Sequence, residues 1–502
     1  MYQLPYVTPE KVGLPSEAVL RFMKRLDSYQ VPVHSVIISR YNKICTEAYY
    51  SPYENNTLHR MFSITKSFTS IAVGLLAEEG QISLDDPIVN YFQDKIPNNL
   101  HPWIASMTIR DMLRMETCHR QTTYKINPER DWVGSFFDTE PTHPPGSLFI
   151  YDTSSSHTLC ALVERLTGKP MLDYLRDKFL DNIGFSREAY IIPDPFGVSM
   201  GGSGLMATPM DIMKFGVAIM NSLEDEAYNK RQNREGNISQ GLLPSFFIKE
   251  AISHQTDTMV RGAFQEECLG YGYQFWITRH GGFAAYGMGG QLMICLPKYD
   301  LICVTTADTQ GIQGGNQLIY NCLYEEILTC LSDSALPENS TAVAKLNDYI
   351  KSLSIKPIEG GGHSPLVEKI HGKQFSLKNN AAGFEKLSLE FKQETKEGKV
   401  LIYRDKENDK EILKIPFGFG KMVISQFPIY NQRTATSGAW LQPNVLYVKS
   451  HIIDECISSV HIQLVFNNDN LTVYMKKTDE RSFGEFNGFL HGELDYLNGE
   501  KI

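Results

Sequence analysis

Ser63 and Lys66 stand three residues apart in RMFSITKSFTS (residues 60–70), at the start of an apolar run. On a helix, positions i and i+3 share a face with Cβ atoms about 5–6 Å apart, so a lysine amine there reaches a serine hydroxyl. Burial against Phe62, Ile64 and Phe68 would lower the lysine pKa and make it a base or proton relay for that serine. A helix N-terminus also stabilises negative charge as it develops. The chemistry implied is a serine hydroxyl activated as a nucleophile. The spacing alone is weak, because chance gives roughly one or two Ser-x-x-Lys matches in a chain of this size; this sequence holds only the one. The competing reading is a capping serine beside a solvated lysine.

A second proton-handling group stands in PPGSLFIYDTSSSHTL (144–159), where Tyr151 precedes Asp152 and Thr153. Taken alone, Tyr151 reads more readily as a half-buried aromatic. Order along the chain adds to it. FSITKSFTSIAVGLL is followed by PGSLFIYDTSSSHTLCALVERLTG, then GGSGLMATPMDIMKFG, then YGMGGQLMICLP. This succession resembles the serine β-lactamase-like superfamily over roughly residues 8–330. That superfamily includes class C β-lactamases, DD-peptidases, esterases and 6-aminohexanoate-dimer hydrolases. SLDDPIVNYF (83–92) and TIRDMLRM (108–115) resemble its segments between the first two motifs.

The resemblance implies that Ser63 is the acylated nucleophile, Lys66 its proton partner, and Tyr151 a phenolate base held near a cationic Lys66. Tyr53-Glu54-Asn55 and Tyr496-Leu497-Asn498 match the family's Tyr-x-Asn literally, but neither follows a PGSLF-like lead-in. Thr153 stands where the family has an asparagine, and its short hydroxyl cannot replace an amide that both donates and accepts. Efficient β-lactam turnover is therefore not expected. Asp152 either binds a cationic substrate or tunes Lys66.

For the third motif, His280-Gly281-Gly282 is the literal match, but Met288-Gly289-Gly290 has the apolar strand and Pro-containing turn behind it. The expectation is therefore a substrate-binding set of Asp152, Thr153, Met288, Gly289 and Gly290. The backbone N–H groups of Ser63 and Gln291 would form the oxyanion hole. A bulge is the other reading of these glycines. Met288 replaces a Lys or His and cannot bind a substrate carboxylate. His280 falls before the strand and reads as structural, GGSGLMATP (201–209) as a turn beside the site, and Tyr271, Tyr273 and Trp276 as core.

The elements that must position these groups follow from pattern. SVIISRYNKICTEAYY (35–50) reads as a hairpin around Tyr41–Lys43, and residues 63–80 as a helix ended by Gly80. ATPMDIMKFGVAIM (207–220) reads as a helix with Thr208 as cap, Pro209 in the first turn and Asp211 closing a capping box. YGYQFWITR, QLMICLP and LICVTTAD (271–307) read as successive strands of one sheet. From about residue 360, alternating runs such as LSLEF and VHIQLVF with turn signals predict antiparallel strands.

The fold class expected is α+β: an α/β/α sandwich with an antiparallel sheet and a helical subdomain, β-lactamase/transpeptidase-like, followed by an all-β C-terminal domain. That second domain loosely resembles lipocalin-like barrels appended to some of these hydrolases. The boundaries expected are 1–335 for the hydrolase domain, 336–365 for a connection and 366–502 for the β domain. The β domain could wall the cleft, bind substrate or mediate dimerisation.

The chain has 502 residues, 42% hydrophobic and 21% charged, with 48 basic and 58 acidic residues and a net charge of −10. Without a dense Lys/Arg run, nucleic acid and membrane are not expected partners. MYQLPYVTPEKVGL lacks a basic segment followed by an apolar one, so no signal peptide is expected. Nine scattered cysteines without a CxxC pair read as reduced thiols of a cytoplasmic protein, with no metal or organic cofactor. The partner expected is a small ester or amide, and a homodimer is compatible with the sequence. Three functions compete. The first is a serine hydrolase of small esters, amides or short peptides; an acyltransferase would use the same acyl-enzyme. The second is a DD-peptidase or β-lactamase, and the third a silent binding protein.

Overall fold

In the computed structural model the described residues are 3–126, 128–223, 243–406, 409–479, 482–497 and 500–501. The chain divides into two compact units, one holding residues 1–50 and 54–353, the other 51–53 and 354–502.

The first unit is built on a six-stranded antiparallel sheet. Its strands are β1 (Val33–Arg40), β2 (Lys43–Tyr49), β3 (Trp276–Thr278), β4 (Gly282–Gly287), β5 (Gln291–Leu296) and β6 (Leu301–Ala307), in the order β2-β1-β6-β5-β4-β3. Strands β1, β5 and β6 are buried along their whole length, because both faces of the sheet are covered. Ile37, Met293, Cys295, Ile302 and Val304 enter one core, and Val36, Ile38, Leu292, Ile294 and Cys303 enter the other. The period-2 alternation of each strand thus serves two helical layers. On the first face lie α2 (Ile64–Glu78), α3 (Thr153–Thr167) and α4 (Pro209–Ser222), with Phe68 of α2 stacked on Phe215 of α4 at 3.8 Å. On the second lie α1 (Ser16–Ser28), α5 (Gly315–Cys322) and α6 (Ser340–Lys351).

Local chemistry places these elements. Tyr41 and Asn42 both take left-handed φ (54° and 59°), giving the tight β1–β2 turn the sequence predicts. Thr108 with Asp111 and Thr208 with Asp211 form full capping boxes. Gly80, at φ 68°, follows the end of α2. The segment expected as a connection over 336–365 contains α6, which packs on α1, and the division between units falls after Leu353.

The second unit is a closed barrel. Its strands are β7 (Gln374–Leu377), β8 (Phe384–Lys392), β9 (Glu397–Lys406), β10 (Asp409–Phe419), β11 (Val423–Gln426), β12 (Arg433–Gln442), β13 (Val445–Ile453), β14 (Ile457–Asn467), β15 (Asn470–Lys477) and β16 (Gly488–Leu494). They run in the order β10-β9-β8-β7-β16-β15-β14-β13-β12-β11. Strand β10 closes the ring on β12 through Gly418↔Ser437 and Phe419↔Gly438, leaving β11 as an edge. Nine strands therefore close the barrel, one more than in a lipocalin. Its interior is filled by Phe375, Phe391, Phe417, Trp440, Phe466 and aliphatic neighbours. A Cβ on Gly398 or Gly438 would meet the Phe417 ring at 2.4 or 2.6 Å, so these two glycines make room for it.

Candidate active site

Ser63 is set by the turn before it. His59–Arg60 pairs with Leu205–Ala207, and the Met61 N–H donates to the Leu205 carbonyl at 2.8 Å. Phe62 then takes φ 45°, a left-handed conformation that costs a non-glycine residue of order 1–2 kcal/mol. Thr65 Oγ1 holds the turn: it donates to the Phe62 carbonyl at 2.6 Å and accepts from the Leu205 N–H at 3.0 Å. Ser63, partly exposed, stands at the N-terminus of α2, and its hydroxyl makes no capping bond. Lys66 is 1% exposed. The capping serine with a solvated lysine is therefore excluded.

Lys66 Nζ donates to Ser63 Oγ at 3.0 Å, to Thr153 Oγ1 at 3.3 Å and to the Gly202 carbonyl at 2.7 Å. It also lies 4.9 Å from the centroid of the Tyr151 ring. Burial lowers its pKa from the ordinary 10.5 to about 7; the Asp152 charge opposes that shift and Lys125 adds to it. Tyr151 moves the other way. Burial raises its pKa well above 10, the Ser63 hydroxyl pulls it back somewhat, and the Glu267 charge raises it further. Burial therefore disfavours the Tyr151 phenolate of the expected pair: the phenol is neutral at neutral pH, while Lys66, with a pKa of about 7, exchanges there between ammonium and free amine.

Asp152 is 0% exposed and does not face a substrate. One carboxylate oxygen accepts from the N–H and hydroxyl of Ser154, the other from Thr117 Oγ1 at 3.4 Å. It caps α3 and holds a charge near Lys66, and burial raises its pKa to about 6. Of the two readings for Asp152, the tuning role fits and the substrate contact does not. Thr153 keeps its place beside Lys66.

The third motif needs a larger correction. Met288, Gly289 and Gly290 form the hairpin between β4 and β5, where Gly287 pairs with Gln291. Gly289 and Gly290 have φ of 81° and 91° and are buried. A Cβ on Gly290 would meet Ala307 and Thr309 at 2.9 and 3.0 Å, so these glycines serve the turn and its packing. Gln291 is 0% exposed, and its amide bridges the Met288 and Ala307 carbonyls at 2.9 and 2.8 Å. A fully buried residue offers no N–H to a substrate oxyanion, so Gln291 is a hairpin clamp. It is Gly287 that abuts the nucleophile turn: a Cβ there would sit 2.3 Å from the Met61 carbonyl. Met288, 36% exposed, follows directly. His280 lies at the opposite end of β4, its ring 4.7 Å from that of Tyr324, which is a structural placement.

Three groups at the site go beyond the sequence reading, which placed residues 201–209 only as a turn beside it. The Gly202 carbonyl accepts from Lys66, and a Cβ on Gly202 would meet Thr153 Cγ2 at 2.4 Å. Trp276, expected in the core, is half-buried and stacks on Tyr151 at 5.8 Å, whereas Tyr271 and Tyr273 are core residues, each 1% exposed. Glu267 accepts from the Tyr286 hydroxyl at 2.9 Å. Among the described residues no cluster of three or more His, Cys, Asp or Glu could hold a metal ion. Among them, too, no helix is long and apolar enough to cross a membrane.

A three-layer sandwich with Ser-x-x-Lys at the head of its central helix defines a β-lactamase-like hydrolase fold. The chain belongs to the Beta-lactamase family, whose model matches residues 19–318. Its sequence is 22% identical over 305 residues to 6-aminohexanoate-dimer hydrolase of Paenarthrobacter ureafaciens, covering 56% of this chain and 75% of that protein. In structure it is similar to a proposed 6-aminohexanoate-dimer hydrolase from Bacillus anthracis, with TM-score 0.50 and 20% identity over 64% of this chain and 86% of that one. An octameric penicillin-binding protein homologue from Pyrococcus abyssi aligns with 95% of this chain and 99% of its own, at TM-score 0.48 and 14% identity. The first of these two likenesses shows the fold alone.

Proposed function

We propose that the chain is a serine hydrolase that forms an acyl-enzyme on Ser63 and acts on small esters, amides or short peptides. The observation that carries this reading is the buried Lys66 amine, 3.0 Å from Ser63 Oγ, with a pKa brought to about 7. A base is most effective when its pKa lies near the working pH.

In this reading neutral Lys66 takes the Ser63 proton as Oγ attacks the carbonyl carbon. The oxyanion is met by the N–H of Ser63 and, in place of Gln291, by the N–H of Met288, the exposed residue after Gly287. As the tetrahedral intermediate collapses, Tyr151 gives its phenolic proton to the leaving oxygen or nitrogen and recovers one from the Lys66 ammonium. Water then attacks the ester by the same route, releasing the acid and restoring Ser63. The apolar Met288 at the strand end and Thr153 in place of an amide favour substrates without the carboxylate that penicillins carry. This also weighs against the DD-peptidase and β-lactamase readings. Among the described residues no disulfide joins any of the nine cysteines, which supports a reducing, cytoplasmic setting.

Hydrolysis of p-nitrophenyl butyrate by wild type, Ser63→Ala and Lys66→Met tests the reading. Both variants should lose roughly a thousandfold or more in kcat/KM. Undiminished turnover by folded Ser63→Ala would contradict it.

A further inference from the structure

The barrel unit carries a cavity of its own, of about 420 Å³, lined by Ala381, Ala382, Tyr430, Gly484, Glu485 and Asn487. Strands β7, β11 and β15 run in one direction, so the connections β7–β8, β11–β12 and β15–β16 leave the same end of the barrel and bring these residues together. The volume suits a small molecule, and the mouth of a barrel is a common place for one. The barrel interior is filled, so a ligand here stays at the end of the ring. Phe427, Phe483 and Phe486, 1%, 0% and 0% exposed, form a firm base, with Phe427 5.3 Å from Phe483 and 4.9 Å from Phe486. The Tyr430 ring packs on Phe483 at 4.3 Å, and its hydroxyl donates to Glu485 Oε2 at 2.6 Å. Ile429 and Phe483, next in sequence to Tyr430 and Gly484, take φ of 71° and 62°. Such left-handed conformations are costly for these residue types and cluster at ligand sites.

The lining fixes the chemistry. Burial opposes ionisation of Glu485, but the Tyr430 hydroxyl, its own N–H and the charges of Arg404 and Lys477 outweigh it and hold its pKa below the ordinary carboxylate value. Glu485 is thus an ionised acceptor that the protein already stabilises without a ligand cation. No Lys, Arg or His lines the cavity to anchor an anion. An apolar ligand would leave the carboxylate desolvated and without a donor. What fits is an uncharged molecule that donates several hydrogen bonds. We propose that Tyr430, Glu485 and Asn487 bind a neutral polyhydroxylated ligand, a single sugar ring or the end of a glycan. Two neighbouring hydroxyls match the two carboxylate oxygens of Glu485, and the exposed Asn487 amide both donates and accepts. Tyr430 fixes the carboxylate and offers a ring for the apolar face of the sugar. Gly484 keeps the space open: a Cβ there would meet nothing within 4 Å. The β unit is then a carbohydrate-recognition module. The site makes no use of Ser63 and stands whether or not the hydrolase reading does.

Saturation-transfer NMR of the full chain with D-glucose, D-galactose, N-acetyl-D-glucosamine and maltose reads binding directly. Tetramethylammonium chloride and cyclohexanol serve as the charged and the apolar comparison. At least one sugar should bind with a Kd of about 1 mM or tighter, the scale for a small ligand making a few hydrogen bonds. It should bind more tightly than either comparison compound. Gly484→Leu, which fills the cavity from a position with room for a side chain, should abolish the binding. Glu485→Gln should weaken it about tenfold or more, as the loss of a charge-assisted acceptor implies. Thermal melts establish that both variants are folded. No binding of any of the four sugars to wild type, or affinity unchanged in folded Gly484→Leu or Glu485→Gln, would overturn the site. Tetramethylammonium binding tighter than any sugar and lost in Glu485→Gln would overturn the ligand class, and the proposal with it.

Discussion

The Lys66 amine donates to the Gly202 carbonyl at 2.7 Å, a contact between the head of α2 and a turn 136 residues further along the chain. That contact exists because Gly202 has no side chain: a Cβ would lie 2.4 Å from Thr153 Cγ2 and 3.0 Å from the Thr153 carbonyl. Gly202→Ala should therefore fold with a loss of about 1–3 kcal/mol and lower ester turnover about tenfold or more, since small displacements at a reacting centre are costly. Thr153→Ser in the same chain removes the methyl group and keeps the hydroxyl that faces Lys66. Kinetics of the double variant should recover part of the loss.

The pH dependence of activity should follow Lys66. Its pKa of about 7 places the ammonium below that pH and the free amine above it. With a neutral ester, kcat/KM should rise through about pH 7 and then level. Asp152 holds the Lys66 pKa up, so Asp152→Asn, which keeps a capping side chain for α3, should move the inflection to lower pH.

The same shift has a consequence for stability. Between about 7 and 10.5 the unfolded chain holds a proton on Lys66 that the folded chain lacks. Stability contributed by this group is full above 10.5 and is lost as pH falls to about 7, below which both states carry the charge. Lys66→Met should remove that dependence and raise stability by about 1–3 kcal/mol near neutral pH while abolishing activity. Thermal melts of both proteins across the range give the comparison.

His157 of α3 and Asp194 form a buried pair, Nε2 to Oδ2 at 3.1 Å, with side chains 1% and 0% exposed. Asp194 Oδ1 also accepts from the N–H groups of Phe196 and Val198, ordering the loop that leads to Gly201 and Gly202. These bonds hold the Asp194 pKa below the ordinary carboxylate value against the opposing effect of burial. Asp194→Ala would leave the His157 ring and two backbone N–H groups without their acceptor in a buried place, so it should cost about 1–3 kcal/mol or more. Asp194→Asn, which can still accept from both N–H groups, should cost less in the same denaturation experiment.

What could be read from sequence was what local chemistry determines. The α2 helix, both capping boxes, the β1–β2 turn and the alternating barrel strands rest on residues close together in the chain. That Ser63, Lys66 and Tyr151 come together was readable because motif order carried it. Gln291 was expected to open onto the site because the β4–β5 hairpin register was unknown: which residue pairs across decides which face each side chain takes. Gln291, opposite Gly287, faces inward, and Met288 is left exposed. Trp276 was misplaced for a related reason. Gln274 takes φ 62°, which breaks the alternation that Tyr271 and Tyr273 seemed to begin, and β3 starts only at Trp276. Gly202 and Glu267 reach the site through contacts of long range, to Lys66 and to Tyr286, that no spacing announces.

The central claim is that Ser63 becomes acylated. Intact-protein mass after brief exposure to a fluorophosphonate, and separately to an activated short-chain ester, reads this directly for wild type and Ser63→Ala. A single adduct on wild type, absent from the variant, is the result expected. A folded wild type that takes no adduct, or a Ser63→Ala protein that takes the same one, would contradict the account.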